Sequence, residues 1–160
     1  AEALNANPGL ARLRELHGAG LPIYAECGGF MVLCQSLATP AGDLPMAGVL
    51  PVRTTLCPRP QGLGYVEAEV VADNPYHPLG ARLLGHEFHY SRCVAPEPAT
   101  PDAPLPLCLR LPPGTGMTPA GDGLLLGNTY ASYTHIHALA APWWAERFVA
   151  AAAAFRERQS

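Results

Sequence analysis

The sequence predicts an α/β fold built around a parallel sheet, and three observations lead to this prediction. The first part of the chain has the order helix, strand, helix with short connections, which is typical of parallel sheets. The strand in this segment stops abruptly at Cys27, and Gly28 and Gly29 lead into the second helix. The chain closes with an Ala-rich amphipathic helix over residues 142–158, with Pro142 at its first turn.

The composition is that of one globular domain. A chain of 160 residues can bury a substantial core, and its 49% apolar and 14% charged residues argue against disorder. No apolar run is long enough to span a bilayer and no signal-like segment opens the sequence, so we expect a cytoplasmic protein without a membrane partner. The net charge of −3 argues against a nucleic-acid partner.

The basic residues and the cysteines exclude several kinds of site. All ten basic residues are Arg, which excludes a lysine-containing phosphate loop and Schiff-base chemistry within this sequence. The five Cys include no CxxC pair, and they suit a reducing compartment better than a disulfide framework or a structural zinc site. We therefore expect neither a metal nor a cofactor in this chain.

The elements of the N-terminal third follow from capping and spacing. Asn7 and Pro8 form an N-cap and a first helical position, and leucines recur at near-helical spacing up to Gly18. The apolar, β-favouring residues 21–25 predict a strand. A helix is expected from about residue 28 to residue 37 because apolar side chains recur there on one face.

The middle of the chain predicts strands instead of helices. Five prolines between residues 95 and 106 predict a surface loop that leads to an edge hairpin at residues 107–111. The other predicted strands are residues 46–50, 65–71, 85–91 and 124–126.

Cys27 has the sequence context of a nucleophile elbow. In such a turn a strand passes sharply into a helix and presents a reactive side chain above the sheet. Glycines permit the turn, and the backbone N–H of Gly28 could approach a developing oxyanion. The positive end of the following helix would lower the pKa of the thiol. The alternative, a buried structural cysteine, fits the spacing equally well.

A thiol nucleophile needs a base, and the histidines are the candidates. His135 and His137 follow a buried strand, where α/β proteins collect functional groups, and in an extended segment they point to the same side. One could face the cysteine while the other orients it or contacts a ligand. Alternatively, both are loop residues hydrogen-bonded to backbone. His17 and His77 are expected to be structural.

The predicted strand over residues 85–91 is rich in polar groups. Its His86 and His89 point to opposite faces and cannot easily share one metal ion. A ligand-contact face that uses Glu87 and His89 is expected instead. One face carries His86, Phe88 and Tyr90, and the other carries Glu87, His89 and Ser91.

Three segments together resemble one family. They are Tyr24-Ala-Glu-Cys-Gly-Gly, Gly85-His-Glu-Phe-His-Tyr-Ser and Ala131-Ser-Tyr-Thr-His-Ile-His. In this order they are similar to the C-terminal glutaminase domain of cobyrinic or hydrogenobyrinic acid a,c-diamide synthases, which are triad-type, class I glutamine amidotransferases of corrin biosynthesis. Gln61-Gly-Leu-Gly-Tyr and Leu4-Asn-Ala-Asn-Pro-Gly-Leu fit the same pattern, so the resemblance covers nearly the whole chain.

The resemblance implies a more specific fold. Residues 1–160 would form one partial glutaminase domain, truncated at its N-terminus. Its architecture would be a three-layer open sandwich with a flavodoxin-like core and a mixed, mainly parallel sheet.

The resemblance also implies a mechanism. Cys27 would attack the side-chain amide of L-glutamine, His135 would act as the base, and the backbone N–H of Gly28 would stabilise the oxyanion. The ammonia would pass to an N-terminal synthetase domain that uses ATP and Mg²⁺ to activate the a and c carboxylates of a corrin substrate. The residues assigned to substrate contact are Glu87, His89 and Tyr90.

One departure from the family pattern concerns the third triad member. Most class I glutaminases carry a Glu two residues after the catalytic His, where this sequence has His137; the family that it resembles shares this irregularity. The third member is therefore undefined, and His137 and Glu26 are the candidates for a supporting role. Glu26 is expected near the elbow or against an arginine, the alternative being a solvated turn carboxylate.

A second departure concerns the upstream part of the domain. A Gly-Gly-Tyr-Pro-Glu-like loop, expected to provide the other oxyanion donor, is absent from the sequence, as are the first strands and the ATP-binding domain. We therefore expect these 160 residues alone to have little or no glutaminase activity.

Two other functions stay open. One is a stand-alone cysteine hydrolase of the same fold, and the other is a non-catalytic module whose strand over residues 85–91 docks a tetrapyrrole or a partner domain. The resemblance leaves open whether the corrin carries cobalt and whether the chain forms a homodimer.

Overall fold

A computed structural model describes residues 7–94, 105–112, 114–119 and 121–159. The start of the N-terminal motif and most of the predicted proline-rich loop lie outside these residues. The helices in the described part are α1 (Gly9–Gly18), α2 (Gly28–Leu33), a 3-10 helix (Ala138–Ala140) and α3 (Trp144–Arg158). The strands there are β1 (Ile23–Glu26), β2 (Ser36–Thr39), β3 (Gly42–Pro45), β4 (Arg53–Leu56), β5 (Gly62–Val70), β6 (Arg82–His89), β7 (Ser91–Val94), β8 (Leu107–Arg110), β9 (Gly121–Leu126), β10 (Thr129–Ser132) and β11 (His135–Ile136).

A seven-stranded sheet carries the functional segments. Its strand order is β1-β10-β9-β8-β5-β6-β11, so β1 and β11 are the outermost described strands. β1 runs parallel to β10, with Glu26 opposite Ser132. β11 runs antiparallel to β6, with His135 opposite His86. The sheet therefore holds the end of β1 and the segment around His135 in one hydrogen-bonded framework.

The mixed sheet is confirmed, but the expectation that it is mainly parallel is wrong for the described strands. Among them, only the β1–β10 pairing is parallel in the large sheet, and the other neighbours in it are antiparallel. The reason lies in the connections after α2. Short turns such as those between β9 and β10 can join antiparallel strands only, whereas a parallel pair needs a crossover of about a dozen residues or more.

Two apolar clusters lie on opposite faces of the large sheet. Side chains of α1 and α2 pack with Ala25 and Ala131 in one cluster. Tyr24 and Tyr130 belong to the other cluster, together with Trp144 and other side chains of α3. Because successive strand residues point to opposite faces, helices cover both sides of the sheet. This confirms the three-layer α/β arrangement.

The predicted helix over residues 28–37 is shorter than expected. It ends at Leu33, and Cys34 has extended backbone angles that start the path into β2. The predicted strand over residues 46–50 is irregular backbone because its N–H groups bind the end of α2. Ala47 donates to the Val32 carbonyl, and Val49 and Leu50 both donate to the Leu33 carbonyl. Helix-terminal carbonyls without an intrahelical partner are thereby satisfied.

The remaining strands need smaller corrections. β2, β3, β4 and β7 form a separate four-stranded sheet in the order β3-β2-β4-β7. β8 was expected at a sheet edge, but it lies inside the large sheet between β5 and β9. None of the helices in the described part of the chain is long and apolar enough to cross a membrane.

Candidate active site

Cys27 occupies a strained turn between β1 and α2. Its φ of 47° and ψ of −101° place it in a backbone region that residues other than glycine rarely adopt. The Cys27 N–H donates to the Ser132 carbonyl at 2.7 Å, which ties the turn to β10. A Cβ at Gly29 would lie 3.2 Å from the Cβ of Ala25, so the helix can approach the strand closely. Strain of this kind clusters at functional sites, and the turn has the form of the predicted elbow.

The surroundings of the Cys27 thiol correct one expectation. Burial raises the pKa of the thiol, and the nearby Glu26 and Asp122 carboxylates act in the same direction. The N–H of Gly28 lowers this pKa but does not outweigh burial. The prediction that the start of α2 lowers the thiol pKa is therefore wrong in its net direction. Sγ lies 3.8 Å from the carbonyl oxygen of Phe88, so the thiol faces the end of β6 and needs a base to ionise.

His135 lies at the other outermost strand of the sheet. Its ring stacks on that of His86, with centroids 4.8 Å apart and planes 13° from parallel. Burial lowers the pKa of His135, and the neighbouring His86 and His89 lower it further. The imidazole is thus held neutral near pH 7, which is the form that can accept a proton. Gly85 allows this pairing, because a Cβ there would lie 2.3 Å from the His135 carbonyl oxygen.

Asp122 fixes the loop that leads to His135. The carboxylate is fully buried and accepts hydrogen bonds from the N–H groups of Tyr133 and Thr134 and from the Thr134 hydroxyl, at 2.8–3.1 Å. Burial raises the pKa of Asp122, and the hydrogen bonds oppose this shift. Sequence reasoning missed this residue. Its signal was a single carboxylate inside the apolar strand Gly121–Leu126.

Glu26 contacts the segment of His135 across the end of the sheet. Its Oε2 lies 3.6 Å from Nδ1 of His135, and its Oε1 accepts the N–H of Ile136 at 3.3 Å. Burial raises the pKa of Glu26, and the hydrogen bond from Ile136 and the nearby Tyr24 side chain oppose this shift. Glu26 therefore lies beside the elbow, which is one of its two expected positions, and no arginine is among its contacts in the described part of the chain.

His137 and Tyr90 lie in more exposed positions. Nδ1 of His137 accepts the N–H of Leu139 at 3.2 Å and caps the 3-10 helix. Tyr90 is 44% exposed and packs edge-on against Phe88, with ring centroids 5.9 Å apart. The capping bond occupies Nδ1 of His137, which favours His135 as the base.

Glu87 and His89 are interior side chains in the described structure. Glu87 is 3% exposed and accepts the N–H groups of Thr115 and Gly116 at 2.9 and 2.6 Å. Burial raises the Glu87 pKa, but hydrogen bonds from His89, Thr115 and Gly116 outweigh it and hold this pKa below its ordinary value. The His89 ring stacks on Tyr133 at 3.8 Å. The alternation of β6 is as predicted, yet its polar face packs inward and supports the loop before His135.

Two open cavities flank His135 and Glu26. A cavity of about 600 Å³ is lined by apolar side chains of β5 and β6 and by His86, His135 and His137. A second cavity, of about 360 Å³, is lined by Tyr24, Glu26, Ile136, Ala138 and Trp144. Among the described residues, no group of three or more His, Cys, Asp or Glu side chains is arranged to hold a metal ion. The structure thus brings Glu26 to the segment of His135, and it places the Cys27 thiol against the end of β6, the strand that pairs with that segment.

Two solved structures share this arrangement of helices and strands. One is described as a glutamine amidotransferase; it has a TM-score of 0.60 and 19% identity, with 90% of this chain and 68% of that chain covered. The other, from Thermoplasma acidophilum, is described as a GMP synthase subunit; its TM-score is 0.56 and its identity 16%, with 94% of this chain and 67% of that chain covered. At this level of identity the likeness shows the fold alone, which is that of a glutamine amidotransferase.

The sequence relatives are more informative. Cobyrinate a,c-diamide synthase of Magnetococcus marinus is 38% identical over 136 residues, which are 85% of this chain and 28% of that protein. The protein of the same name from Methanothermobacter thermautotrophicus is 36% identical over 149 residues, or 92% of this chain and 31% of that protein. The Salmonella typhimurium protein of the same name is 34% identical over 144 residues, which are 89% of this chain and 30% of that protein.

The chain thus spans about three-tenths of the length of the curated relatives it matches. The family model for the CobB/CobQ-like glutamine amidotransferase domain matches residues 1–143, which include the Cys27 elbow, strands β1 and β10 beside it, and His135. The chain belongs to the family of CobB/CobQ-like glutamine amidotransferase domains.

Proposed function

We propose that this chain is the glutaminase part of an ATP-dependent corrin a,c-diamide synthase of cobalamin biosynthesis in the cytoplasm. The observation that carries the proposal is the strained Cys27 elbow, with its thiol against β6 and with His135 on the strand paired to β6. The relatives are named cobyrinate a,c-diamide synthase, and these names support a corrin a,c-diamide as the product. The corrin substrate would be cobyrinate or its cobalt-free counterpart hydrogenobyrinate.

The first half of the reaction releases ammonia. His135 takes the thiol proton as Sγ of Cys27 attacks the carbonyl carbon of the glutamine side-chain amide. The N–H of Gly28 stabilises the negative oxygen of the tetrahedral intermediate. His135 then returns the proton to the leaving nitrogen, the C–N bond breaks, and ammonia departs from a γ-glutamyl thioester. The raised thiol pKa and the neutral imidazole fit this division of roles.

The second half restores the enzyme. Water attacks the thioester carbon while His135 removes its proton, and the C–S bond breaks. Glutamate leaves and Cys27 regains its proton from His135. One glutamine and one water thus yield one glutamate and one ammonia, without oxidation or reduction.

The partner in the proposal is a synthetase domain that consumes the ammonia. ATP and Mg²⁺ would supply phosphoryl activation of the a and c carboxylates of the corrin. The described residues offer no cluster of metal-binding side chains, and the sequence has no lysine for a phosphate loop, so we assign ATP and Mg²⁺ to that other domain. The length of the relatives, of which this chain spans about three-tenths, is consistent with such a domain.

The experiment replaces Cys27 in the full-length synthase. In Cys27→Ser we expect glutamine-dependent diamide formation to fall at least ~10³-fold, while formation with ammonium salts as the nitrogen source continues. Cys57→Ser is the matched control, because Cys57 lies outside the elbow and is also partly exposed. Unchanged glutamine-dependent activity in Cys27→Ser would contradict the proposal.

The same experiment tests the binding-module alternative, which one observation favours. Leu63, Tyr65, Leu84 and Phe88 are 55–94% exposed on the outer face of β5 and β6, where a tetrapyrrole or a partner domain could dock. A non-catalytic module would keep the activity of the full enzyme after Cys27→Ser. A stand-alone cysteine hydrolase would lose hydrolysis in the same variant but would not depend on glutamine.

A further inference from the structure

We propose that Glu26 is the positioning residue that orients His135 and fixes its tautomer. This inference rests on the proposed function, since it assigns a role in the same glutamine hydrolysis. In nucleophile–base pairs generally, a third polar group holds the base in a reactive orientation. Here that group would come from the residue directly before the nucleophile.

The contacts of Glu26 place both carboxylate oxygens on the strand of the base. Oε1 accepts the backbone N–H of Ile136 at 3.3 Å, and Oε2 lies 3.6 Å from Nδ1 of His135. Among the described residues, Glu26 is the one carboxylate within 4 Å of a His135 ring nitrogen. The hydrogen bond from Ile136 fixes the position of the carboxylate along β11, so that Oε2 lies near the imidazole of His135.

The tautomer follows from the chemistry of the pair. An ionised carboxylate only accepts hydrogen bonds, so Nδ1 of His135 must carry the proton that faces Glu26. Nε2 then keeps a free lone pair for the thiol proton. A separation of 3.6 Å is longer than a closed hydrogen bond. Catalytic hydrogen bonds are often long in free enzymes and shorten when substrate binds.

A partly buried set of polar side chains lies beside Glu26. Tyr24 lies two residues earlier on the same face of β1, and it lowers the pKa of the Glu26 carboxyl. The Tyr24 hydroxyl in turn lies 3.2 Å from Nε2 of His77, and the Trp143 indole N–H donates to Nδ1 of His77 at 3.4 Å. The contact that orients the carboxylate toward His135 is therefore its hydrogen bond from the N–H of Ile136.

The other candidates are occupied elsewhere. His137 caps the 3-10 helix through Nδ1. The carboxylate of Asp122 is consumed by Tyr133 and Thr134, and that of Glu87 by Thr115 and Gly116. The charged or titratable groups that act on His135 and Glu26 are His86, His89, Asp122 and Tyr24.

The test compares variants of the full-length synthase, assayed for glutamine hydrolysis with all substrates present. Glu26→Gln keeps the size of the side chain but removes the charge, and we expect kcat to fall about 10²- to 10³-fold with KM changed less than about threefold. Glu26→Asp keeps the charge but shortens its reach, and should lose about tenfold in kcat. Glu15→Gln, at an exposed position on α1, is the matched control and should behave as wild type.

Two further readouts separate positioning from a structural role. Ammonium-dependent diamide formation should stay within about twofold in Glu26→Gln, since the synthetase reaction does not use His135. In a plot of kcat/KM against pH, the acid limb of Glu26→Gln should lie at lower pH than that of the wild type, by about half a pH unit or more. The reason is that the negative charge of Glu26 no longer stabilises the imidazolium form of His135. A purely structural carboxylate would not move this limb.

Glutamine hydrolysis by Glu26→Gln at the wild-type kcat, or a lower kcat with an unmoved acid limb, would overturn the proposal. If Glu26→Gln does not fold, wild-type kcat in Glu26→Asp would overturn it instead. Failure of the proposed function would give a different result: the glutamine-dependent activity would survive in Cys27→Ser. Loss of activity in Cys27→Ser but not in the Glu26 variants would reject the role of Glu26 alone.

Discussion

The carboxylate of Asp122 binds Thr134 twice, accepting both its backbone N–H and its hydroxyl at 2.8 Å. These two hydrogen bonds anchor the residue that immediately precedes His135. Since Tyr133 also donates to Asp122, the carboxylate fixes the path of the chain from β10 into β11. The orientation of the base thus depends on a residue in β9 that contacts neither Cys27 nor His135 in any described hydrogen bond.

Asp122→Asn should destabilise the protein. An amide oxygen in the place of Oδ2 could keep the bonds from Thr134, but the NH₂ group would then replace Oδ1 and face the Tyr133 N–H, and the remaining bonds would lose the strength that the charge gives them. We expect the free energy of unfolding to fall by roughly 2–4 kcal/mol in urea titrations. The exposed Asp43→Asn in β3 is the control and should change this free energy by less than about 0.5 kcal/mol. Equal stabilities of the two variants would show that Asp122 does not anchor the loop.

Gly85→Ala should separate β11 from β6. The new Cβ would lie 2.3 Å from the carbonyl oxygen of His135, and neither backbone can yield without breaking the pairing. We expect glutamine hydrolysis to fall at least about tenfold, because the base loses its position. Gly18→Ala at the end of α1 is the matched control, since a Cβ there meets no atom within 4 Å. Wild-type glutaminase activity in Gly85→Ala would argue that β11 is not held by this pairing.

His77 should make the stability depend on pH. Burial, and next the charge of Arg147, lower the pKa of His77 to about 4 from 6.5. Between these values the unfolded chain binds a proton that the folded chain does not, so stability present at neutral pH is lost as the pH falls. The loss from pH 7.5 to pH 4.5 should be roughly 2–3 kcal/mol.

The check is urea unfolding of the wild type and His77→Gln at both pH values. The raised pKa of Glu26 acts in the opposite direction in both proteins, so the difference between them isolates His77. A pH dependence that is the same in both proteins would refute this assignment.

Labelling with a glutamine-like diazoketone should modify Cys27 in the full-length synthase. The other thiols lack its site, and burial raises the pKa of Cys108 to about 11 and that of Cys93 to about 12. Peptide mass mapping should find one adduct, which Cys27→Ser abolishes and Cys57→Ser leaves unchanged. Modification of Cys34, Cys57, Cys93 or Cys108 in place of Cys27 would count against the proposed nucleophile.

The chain on its own should hydrolyse glutamine far more slowly than the full-length synthase. The N–H of Gly28 is the oxyanion donor that we assign among the described residues, and an oxyanion site with one donor fewer is slower by about 10²- to 10³-fold in kcat. Ammonia release by the purified 160-residue polypeptide measures this directly. Rates equal to those of the full-length enzyme would exclude a missing donor.

Features set by neighbouring residues could be predicted from the sequence. The turn at Cys27 depends on residues adjacent to it, and the alternation of Glu87 and His89 with Phe88 follows from strand geometry alone. Which face of β6 lies inward could not be predicted, because it depends on Thr115 and Gly116, which reach Glu87 from another part of the chain. The polar face is the buried one, contrary to the usual rule.

Features set by distant residues were missed for the same reason. The partner of Glu26 is Ile136, which is 110 residues away, and no local pattern links the two. The segment over residues 46–50 has strand-like composition, but its N–H groups bind the end of α2 instead of a neighbouring strand. The antiparallel pairing of most strands in the large sheet likewise follows from the connections after α2, which composition does not reveal.

The contact between Glu26 and β11 joins the two outermost strands of the described sheet, since β1 and β11 stand at opposite ends of the strand order. The sheet must therefore curl until its ends meet at the site. The curvature of the sheet therefore sets the distance between the Glu26 carboxylate and the His135 imidazole. A conformational change that flattens the sheet would move these two groups apart.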